Sequence, residues 1–165
     1  ISKRYGDLWA VDIDDYLYYR EFESRLRKAD LHKDAIPFDA QSADAIIAFN
    51  ILEHLENPFH FARECARVVK EEGYLFLSVP NSNTILDKIS FLLTGNLLAY
   101  RPRNNHITFL LNIVFAKAFL RDFKIIEMRY GNPWIPWLRP KRWNKRLPKH
   151  PLLSYNKLYV LQRIK

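Results

Sequence analysis

Three polar side chains follow an apolar run at the point where a strand is expected to end. The run ADAIIAF (43–49) leads into Asn50, and Glu53 and His54 come within five residues. A histidine can take a proton from a reacting hydroxyl near neutral pH, and a carboxylate beside it suits the same chemistry. The stretch therefore predicts an acid–base site. The alternative is that His54 only bonds backbone and shapes the loop.

Acidic residues end two earlier strand candidates. LWAVDID contains Asp12 near its end, and SRLRKADL contains Asp30. Asp and Asn are also ordinary turn and cap residues, so no one of them identifies a site. Three consecutive strand ends that carry such side chains are harder to explain by turns alone. We expect all of them at one edge of a sheet.

Strands and helices alternate along the chain. Asn57 and Pro58 predict a helix start, with the helix running to about Lys70 and Gly73 ending it. The remaining predicted elements are strands at 43–49, 74–80 and 123–131, a helix at 108–122, and a last antiparallel strand at 157–164. The nearly apolar 43–49 strand is expected to be buried on both faces. This order predicts an open α/β sheet whose ligands bind beyond the carboxyl ends of the strands.

Composition places the chain in the class of single globular domains. It has 165 residues, 48% of them hydrophobic, which argues against disorder. The single cysteine, Cys65, falls on the helical apolar period and is expected in the core. It excludes an internal disulfide and a cysteine-based zinc cluster. No apolar run reaches the roughly 18 residues of a membrane span and no signal peptide is visible, so we predict a cytoplasmic location.

The net charge of +8 is concentrated in one segment. Residues 132–155 contain six basic residues and no acid, together with three of the four tryptophans and five of the nine prolines. Proline keeps such a segment irregular. Trp with Lys and Arg suits an anionic membrane surface, an anionic ligand or RNA, and the plainer alternative is a solvated loop with tryptophans packed on the core.

The combined motifs resemble the class I S-adenosylmethionine-dependent methyltransferases of Rossmann-like fold, in the branch that acts on sugars, lipids and quinones. The matching stretches are AVDID, ADLHKDAIPFDAQSADAIIAFNILEHLENP, RVVKEEGYLFLSVPN, NNHITF and DFKIIEMRYG, which together span most of residues 8–131. The resemblance implies a sheet with helices on both faces. It also implies S-adenosylmethionine as cofactor and S-adenosylhomocysteine as product.

The resemblance assigns a role to each candidate residue. Asp12 would accept hydrogen bonds from both ribose hydroxyls, and Asp30 would face the adenine amino group. Ile13 and Leu31 would pack on the two faces of the adenine ring. Phe49 and Asn50 would line the cofactor beneath the sulfonium. Glu53 and His54 would form the floor of the substrate cleft and have catalytic roles.

One departure from the family pattern is large. The family begins with a strand and a Gly-x-Gly-x-Gly loop, whereas this chain has only Gly6, Gly73, Gly95 and Gly131, none with that spacing. The opening ISKRYGD resembles the end of the helix that follows the loop. We therefore expect the first strand and the glycine loop to be missing from this chain. The piece alone is expected to be poorly stable and to bind cofactor weakly.

The leading hypothesis is methyl transfer to a hydroxyl or amine of a small molecule, glycan or lipid-linked saccharide, with His54 as base. One alternative is an RNA (tRNA) methyltransferase, and another is a non-catalytic binding module of the same fold. Metal ligands are not assigned, although Glu53, His54 and His106 are a possible set for a divalent ion. His106 is expected instead to position substrate or to cap a helix starting near Thr108.

Two insertions are expected to meet the substrate. Residues 85–105, ILDKISFLLTGNLLAYRPRNN, follow a strand after which this family commonly builds a lid. The apolar residues of this lid either pack on the sheet or form a lipid-facing flap. Residues 132–155 form the second insertion, before the last strand, and give the protein a possible peripheral place at an anionic membrane.

Overall fold

The computed structural model describes residues 7–14, 25–100, 104–133 and 148–164. Its strands are β1 (Ala10–Asp12), β2 (Leu26–Lys28), β3 (Ala43–Phe49), β4 (Val69–Pro80), β5 (Phe123–Tyr130) and β6 (Asn156–Arg163). Its helices are α1 (Pro58–Val68), α2 (Ile85–Thr94) and α3 (Asn112–Phe119), and a 3₁₀ turn spans Leu52–His54.

The strands form two sheets within the described residues. β1 and β2 pair in parallel, and the other four strands have the order β3-β4-β6-β5. β3 and β4 are parallel, whereas β6 runs antiparallel to both of its neighbours. The α/β class and the antiparallel last strand are thus confirmed.

Helix α1 begins as its sequence predicts. The Asn57 side chain accepts a hydrogen bond from the His60 backbone N–H at 3.0 Å, and Pro58 occupies the first turn. The helix ends at Val68, two residues before the predicted end near Lys70, and the predicted stop at Gly73 is wrong, because β4 begins at Val69. Gly73 lies inside β4, where a Cβ would come within 2.9 Å of the Asp44 carbonyl oxygen. Its lack of a side chain permits this close strand approach.

The core lies on one face of the four-stranded sheet. Helices α1 and α3 pack against each other and against this face, where Leu75, Leu77 and Leu161 are fully buried. Cys65 is also fully buried, which confirms its predicted place in the core, and burial raises the pKa of its thiol. The hydrophobic effect on this one face is the main source of the sheet's stability.

The prediction that β3 is buried on both faces is wrong for the described structure. Ile47 is 63% exposed and Phe49 is 50% exposed, although Ala48 between them is buried. The reason is that α1 and α3 both cover the Ala48 face. The described ranges also leave β3 at the edge of its sheet. The prediction was that helices cover both faces of the sheet. Within the described ranges, they cover one face only.

The described helices are short. α1 has 11 residues, α2 has 10 and α3 has 8. α3 begins at Asn112 rather than near Thr108, because the Thr108 carbonyl, which would accept a helical N–H, accepts instead from the Tyr100 hydroxyl at 2.9 Å. Across the described parts of the chain, no helix has the length and apolarity needed to cross a membrane.

Candidate functional site

The chain turns sharply where β3 ends. Asn50 has a φ of +54°, a left-handed conformation that Asn adopts more readily than most residues. Its backbone N–H lies 3.0 Å from Ser78 Oγ, and Ser78 Oγ donates to Asn50 Oδ1 at 3.0 Å. These bonds tie the end of β3 to β4. The 3₁₀ turn that follows is anchored by Leu52 and Leu55, which are both buried.

Glu53 is buried at this turn, with only 2% of its surface exposed. Its backbone oxygen accepts hydrogen bonds from the N–H groups of Ile107 at 2.9 Å and Thr108 at 3.0 Å. Its carboxylate oxygen Oε2 is buried without a hydrogen-bond partner. Burial raises the pKa of the Glu53 carboxyl, and positive charge on His54 or His106 acts in the opposite direction.

His54 is held by one ring nitrogen. Its Nδ1 lies 2.7 Å from the backbone oxygen of Asn105, which can only accept a hydrogen bond. The proton of the neutral ring must therefore be on Nδ1, and Nε2 carries the lone pair. The ring is half-buried. This arrangement suits a general base whose orientation is fixed by the 104–109 segment.

His106 joins the same cluster. Its ring centroid lies 4.8 Å from that of His54 in an edge-to-face arrangement, and its Nδ1 is buried without a hydrogen-bond partner. The predicted capping role is wrong, because α3 begins at Asn112 with Leu111 as its N-cap. The sequence signal for the observed position of His106 was the stretch NNHITF, whose backbone bonds the 3₁₀ turn.

Tyr100 closes one side of the cluster and was not identified from sequence. Its ring centroid lies 5.6 Å from that of His106, and its hydroxyl donates to the Thr108 carbonyl at 2.9 Å. Burial raises the pKa of Tyr100 to about 12, with the Glu53 charge adding to the effect. The phenol is therefore neutral at physiological pH.

The cluster also has the composition of a metal site. Glu53, His54 and His106 each offer one ligand atom, and these atoms lie within 4.8 Å of one another. A carboxylate with two imidazoles suits several divalent ions, and the unpartnered Glu53 Oε2 and His106 Nδ1 fit that chemistry. The same three groups suit proton transfer.

The two acidic residues expected at the nucleoside lie together on the smaller sheet. Asp12 pairs with Lys28 across the parallel β1–β2 ladder, and the Ala29 N–H donates to the Asp12 carbonyl at 3.0 Å. Because the strands are parallel and in register, Asp12 and Asp30 lie at the same end of this sheet. This agrees with the expected shared edge for the pair.

The two carboxylates differ in their surroundings. Asp12 is exposed, and its Oδ1 accepts from the Asp14 N–H at 3.2 Å. Asp30 accepts from the His32 N–H at 3.1 Å and lies 3.2 Å from the Lys33 ammonium. The hydrogen bond from His32, reinforced by Lys33, holds the pKa of Asp30 below its ordinary value. The Asp30 carboxyl is therefore ionised near neutral pH.

The apolar candidates are divided between the two sheets. Ile13 is 57% exposed, and Phe49 is 50% exposed at the end of β3. Leu31 is partly buried against the main core. Their roles around the cofactor, like that of Asn50, remain predictions.

An ion pair that sequence reasoning missed fixes the chain between β2 and β3. Arg67 donates to the carbonyls of Ile36 and Phe38, each at 2.8 Å, and lies 2.7 Å from Glu64. Glu64 in turn accepts from the Ile36 N–H at 2.9 Å. The pair thereby bonds residues 36–38, the IPF of the quoted motif, to α1.

The structure describes only part of the second insertion, so the predictions for the remainder are untested. Of the 132–155 segment, residues 134–147 lie outside the described ranges. They include all three of its tryptophans and most of its basic residues.

The comparison with protein families matches residues 1–77 to the family described as methyltransferase domain. A probable S-adenosylmethionine-dependent methyltransferase of Mycobacterium tuberculosis is 34% identical over 77 residues, which cover 46% of this chain and 28% of that protein. A ubiquinone biosynthesis O-methyltransferase of Yersinia pestis is 30% identical over 86 residues, covering 52% and 32%. The matched part thus spans about a third or less of each of these relatives.

Solved structures share the fold at low sequence identity. An S-adenosylmethionine-dependent methyltransferase from Mesorhizobium loti has a TM-score of 0.58 and 14% identity, covering 93% of this chain and 78% of that one. One from Archaeoglobus fulgidus has a TM-score of 0.57 and 12% identity, covering 93% and 74%. The chain thus shares the fold of these methyltransferases, and its residues 1–77 match the methyltransferase domain family.

Proposed function

We propose that the protein transfers a methyl group from S-adenosylmethionine to a hydroxyl or amine of a small molecule, glycan or lipid-linked saccharide. The observation that carries this proposal is the state of His54. Its Nδ1 is bonded to the Asn105 carbonyl at 2.7 Å, so that Nε2 carries the lone pair of a base. A base in this position follows the parallel strand β3, at the edge where open α/β sheets bind ligands.

The residues of the smaller sheet fit a nucleoside. Asp12 is an exposed carboxylate, which only accepts hydrogen bonds and can take two donors from a ribose. We assign Asp30 to the adenine amino group, Ile13 and Leu31 to the two faces of the ring, and Phe49 and Asn50 to the methionine side. When bound, the cofactor supplies an activated methyl group on a sulfonium.

The chemistry required of the chain is modest. An acceptor held in line with the methyl group at near-attack distance already gains most of the acceleration. With a hydroxyl acceptor, His54 Nε2 would take the hydroxyl proton, for about 10²–10⁴-fold in rate. The cofactor would supply the methyl group and leave as S-adenosylhomocysteine when the bond from its sulfur to the methyl carbon breaks. The buried Glu53 carboxylate, when ionised, stabilises the imidazolium that results.

A small acceptor is favoured over a polymer by one comparison. One relative is named as a ubiquinone biosynthesis O-methyltransferase, and this name indicates a small-molecule acceptor. It matches 86 residues of this chain. Quinone-like, sugar and lipid-linked acceptors are therefore the first compounds to screen.

An RNA acceptor is the second candidate, and the basic composition of residues 132–155 favours it. Binding that depends on phosphate contacts weakens steeply as salt rises, because counterions are released from the nucleic acid. Methyl transfer to tRNA, together with such a salt dependence, would replace the small-molecule proposal.

The experiment begins with calorimetry of the full-length protein and S-adenosylhomocysteine, followed by a methyl-transfer screen against phenols, sugars and lipids. We expect binding and turnover of at least one acceptor. Binding without turnover of any acceptor class would support a non-catalytic module, and no binding would contradict the cofactor assignment.

Two variants then test the base. His54→Ala is expected to lower turnover about 10²–10⁴-fold while S-adenosylhomocysteine affinity stays unchanged. His60→Ala is the matched control, because His60 lies in the first turn of α1 and bonds the Asp34 carbonyl. Equal losses of turnover and affinity in His54→Ala would show a structural role. Loss of turnover in chelator, restored by a divalent ion, would assign the cluster to a metal.

A further inference from the structure

The position of the ring proton of His54 depends on one backbone carbonyl. Nδ1 lies 2.7 Å from the Asn105 oxygen, and this hydrogen bond keeps the proton of the neutral ring on Nδ1. If the Asn105 carbonyl moved away, the proton would occupy either nitrogen. A neutral ring that is protonated at Nε2 has no lone pair there and cannot accept a proton at that atom. A base at Nε2 therefore requires that the backbone at Asn105 stay in place.

Two adjacent residues bond the chain on either side of Asn105. Ala99 is buried, and its carbonyl accepts from Asn104 Nδ2 at 2.6 Å. Tyr100 donates its hydroxyl to the Thr108 carbonyl at 2.9 Å. One bond thus lies one residue before the Asn105 carbonyl and the other lies three residues after it, so that both sides of this carbonyl are fixed to the same short stretch of chain.

The ring of Tyr100 contacts the same segment. Its centroid lies 5.6 Å from that of His106 and 5.6 Å from that of Phe109, and both contacts are edge-to-face. The His106 ring packs edge-to-face on His54 in turn, at 4.8 Å. Tyr100 therefore holds the segment both by its ring and by its hydroxyl, and it reaches His54 through other residues.

The stretch that ends at Tyr100 is itself held to α2 by polar bonds. The buried Asp87 carboxylate bonds the hydroxyl of Thr84, the N-cap residue of α2. The same carboxylate accepts from the Leu98 N–H at 2.9 Å. The position of residues 99 and 100 is therefore set from α2, which belongs to the 85–105 insertion.

The large apolar side chains of α2 are exposed. They are Ile85 at 44%, Ile89 at 49%, Phe91 at 59%, Leu92 at 85% and Leu93 at 76%. The expectation that the apolar residues of the insertion pack on the sheet is therefore wrong for α2. Its described attachment relies instead on backbone and polar side-chain bonds, among them those of Asp87.

We propose that Tyr100 is a positioning residue for the base, because its hydroxyl and ring hold the segment 104–108 where the Asn105 carbonyl keeps the His54 proton on Nδ1. This role rests on the proposed function, in which His54 is the base. Tyr100 acts through Thr108 and Asn105 and not on the reacting atoms. Through Tyr100, the insertion that is expected to cover the substrate also sets the state of the base.

The test measures the tautomer of His54 in full-length protein that carries isotope-labelled histidine. Ring nitrogen–proton NMR spectra are recorded in chelator at a pH of about 8.5, where an ordinary histidine is neutral. The His54 signals are assigned by their loss in His54→Ala. We expect the parent to hold the proton on Nδ1, and Tyr100→Phe to shift the tautomer ratio toward Nε2–H by about two- to tenfold, as for one hydrogen bond. A parent ring protonated at Nε2, or an unchanged ratio in Tyr100→Phe, would overturn the proposal.

A second variant and a matched control accompany Tyr100→Phe. Asn104→Ala removes the bond on the other side of Asn105 and should shift the ratio in the same direction. Tyr74→Phe removes the hydroxyl of an exposed tyrosine of β4 and should leave the ratio unchanged. An equal shift in Tyr74→Phe would contradict a specific role for Tyr100. Circular dichroism of each variant checks that it is folded.

Turnover with an acceptor found in the screen separates this role from direct contact with the substrate. Tyr100→Phe is expected to lower turnover about two- to tenfold, in proportion to the loss of the Nδ1–H form, with S-adenosylhomocysteine affinity unchanged. A loss of turnover without a change of tautomer would overturn the proposal, since Tyr100 would then act on the substrate. If no acceptor is methylated, the proposed function fails, whereas the tautomer measurement still decides the role of Tyr100.

Discussion

The 3₁₀ turn Leu52–His54 and helix α2 both follow strands of the parallel pair β3–β4, yet they distribute polarity in opposite ways. The turn buries the Glu53 carboxylate without a partner for Oε2, whereas α2 exposes Leu92 and Leu93. Burying an unpaired carboxylate and exposing leucines both oppose folding. Stability therefore explains neither region.

The arrangement of side chains differs between the two regions. At the turn, the polar groups converge, with the ligand atoms of Glu53, His54 and His106 within 4.8 Å of one another. Such convergence suits a small reacting group. At α2 the apolar groups spread along one helical face, which suits an extended surface.

The largest expected contrast is in the free energy of unfolding when two leucines, Leu52 and Leu92, are replaced. Leu52→Ala removes a side chain that is fully buried and should lower the free energy of unfolding by about 2–5 kcal/mol. Leu92→Ala changes a side chain that is 85% exposed and should change it by less than about 0.5 kcal/mol. Urea unfolding of the full-length protein measures both, and equal losses would mean that α2 packs by its apolar face.

The next contrast lies within α2. Asp87→Ala leaves the Leu98 N–H and the Thr84 hydroxyl without their acceptor, which should cost roughly 1–3 kcal/mol locally. Hydrogen exchange of residues 85–98 should therefore accelerate. The neighbouring exposed Lys88→Ala is the control and should leave exchange as it is. Unchanged exchange in Asp87→Ala would show that polar bonds do not hold the helix.

The smallest expected effect is a pH dependence at the turn. Because burial raises the pKa of Glu53, its contribution to stability is fully present below the ordinary value of 4.5 and is lost as pH rises through the native value. The facing groups are His54, His106 and Tyr100, and charge on either histidine reduces the effect.

Glu53→Gln should therefore remove part of the fall in stability above pH 4.5. Urea unfolding in chelator, at a series of pH values, compares the variant with the parent and with Glu56→Gln, an exposed neighbour. Parallel curves for all three proteins would contradict a raised pKa for Glu53.

The parts of this fold set by local patterns were predictable from sequence. Asn57 and Pro58 set the start of α1, and the apolar runs set β3 and most of β4. The end of α1 was not predictable, since no breaker follows Val68 and the chain passes directly into β4. The start of α3 was also missed, because the Thr108 carbonyl accepts from the Tyr100 hydroxyl rather than from a helical N–H.

The site was predictable in part. The spacing of Glu53 and His54 after a strand pointed to the turn, but the contact of His106 and Tyr100 with them is made between segments about fifty residues apart. Periodicity does not report such contacts. It also led to a wrong expectation for β3, where Ile47 and Phe49 are apolar and exposed. An apolar run alone does not say whether both faces are covered.

The most direct test of the account is the affinity of the full-length protein for S-adenosylhomocysteine, measured by calorimetry for the parent and for Asp12→Ala and His54→Ala. We expect a loss of affinity of about ten- to hundredfold for Asp12→Ala, as for hydrogen bonds to a charged group, and no change for His54→Ala. Unchanged affinity in Asp12→Ala would contradict the assignment of a nucleoside to the ends of β1 and β2.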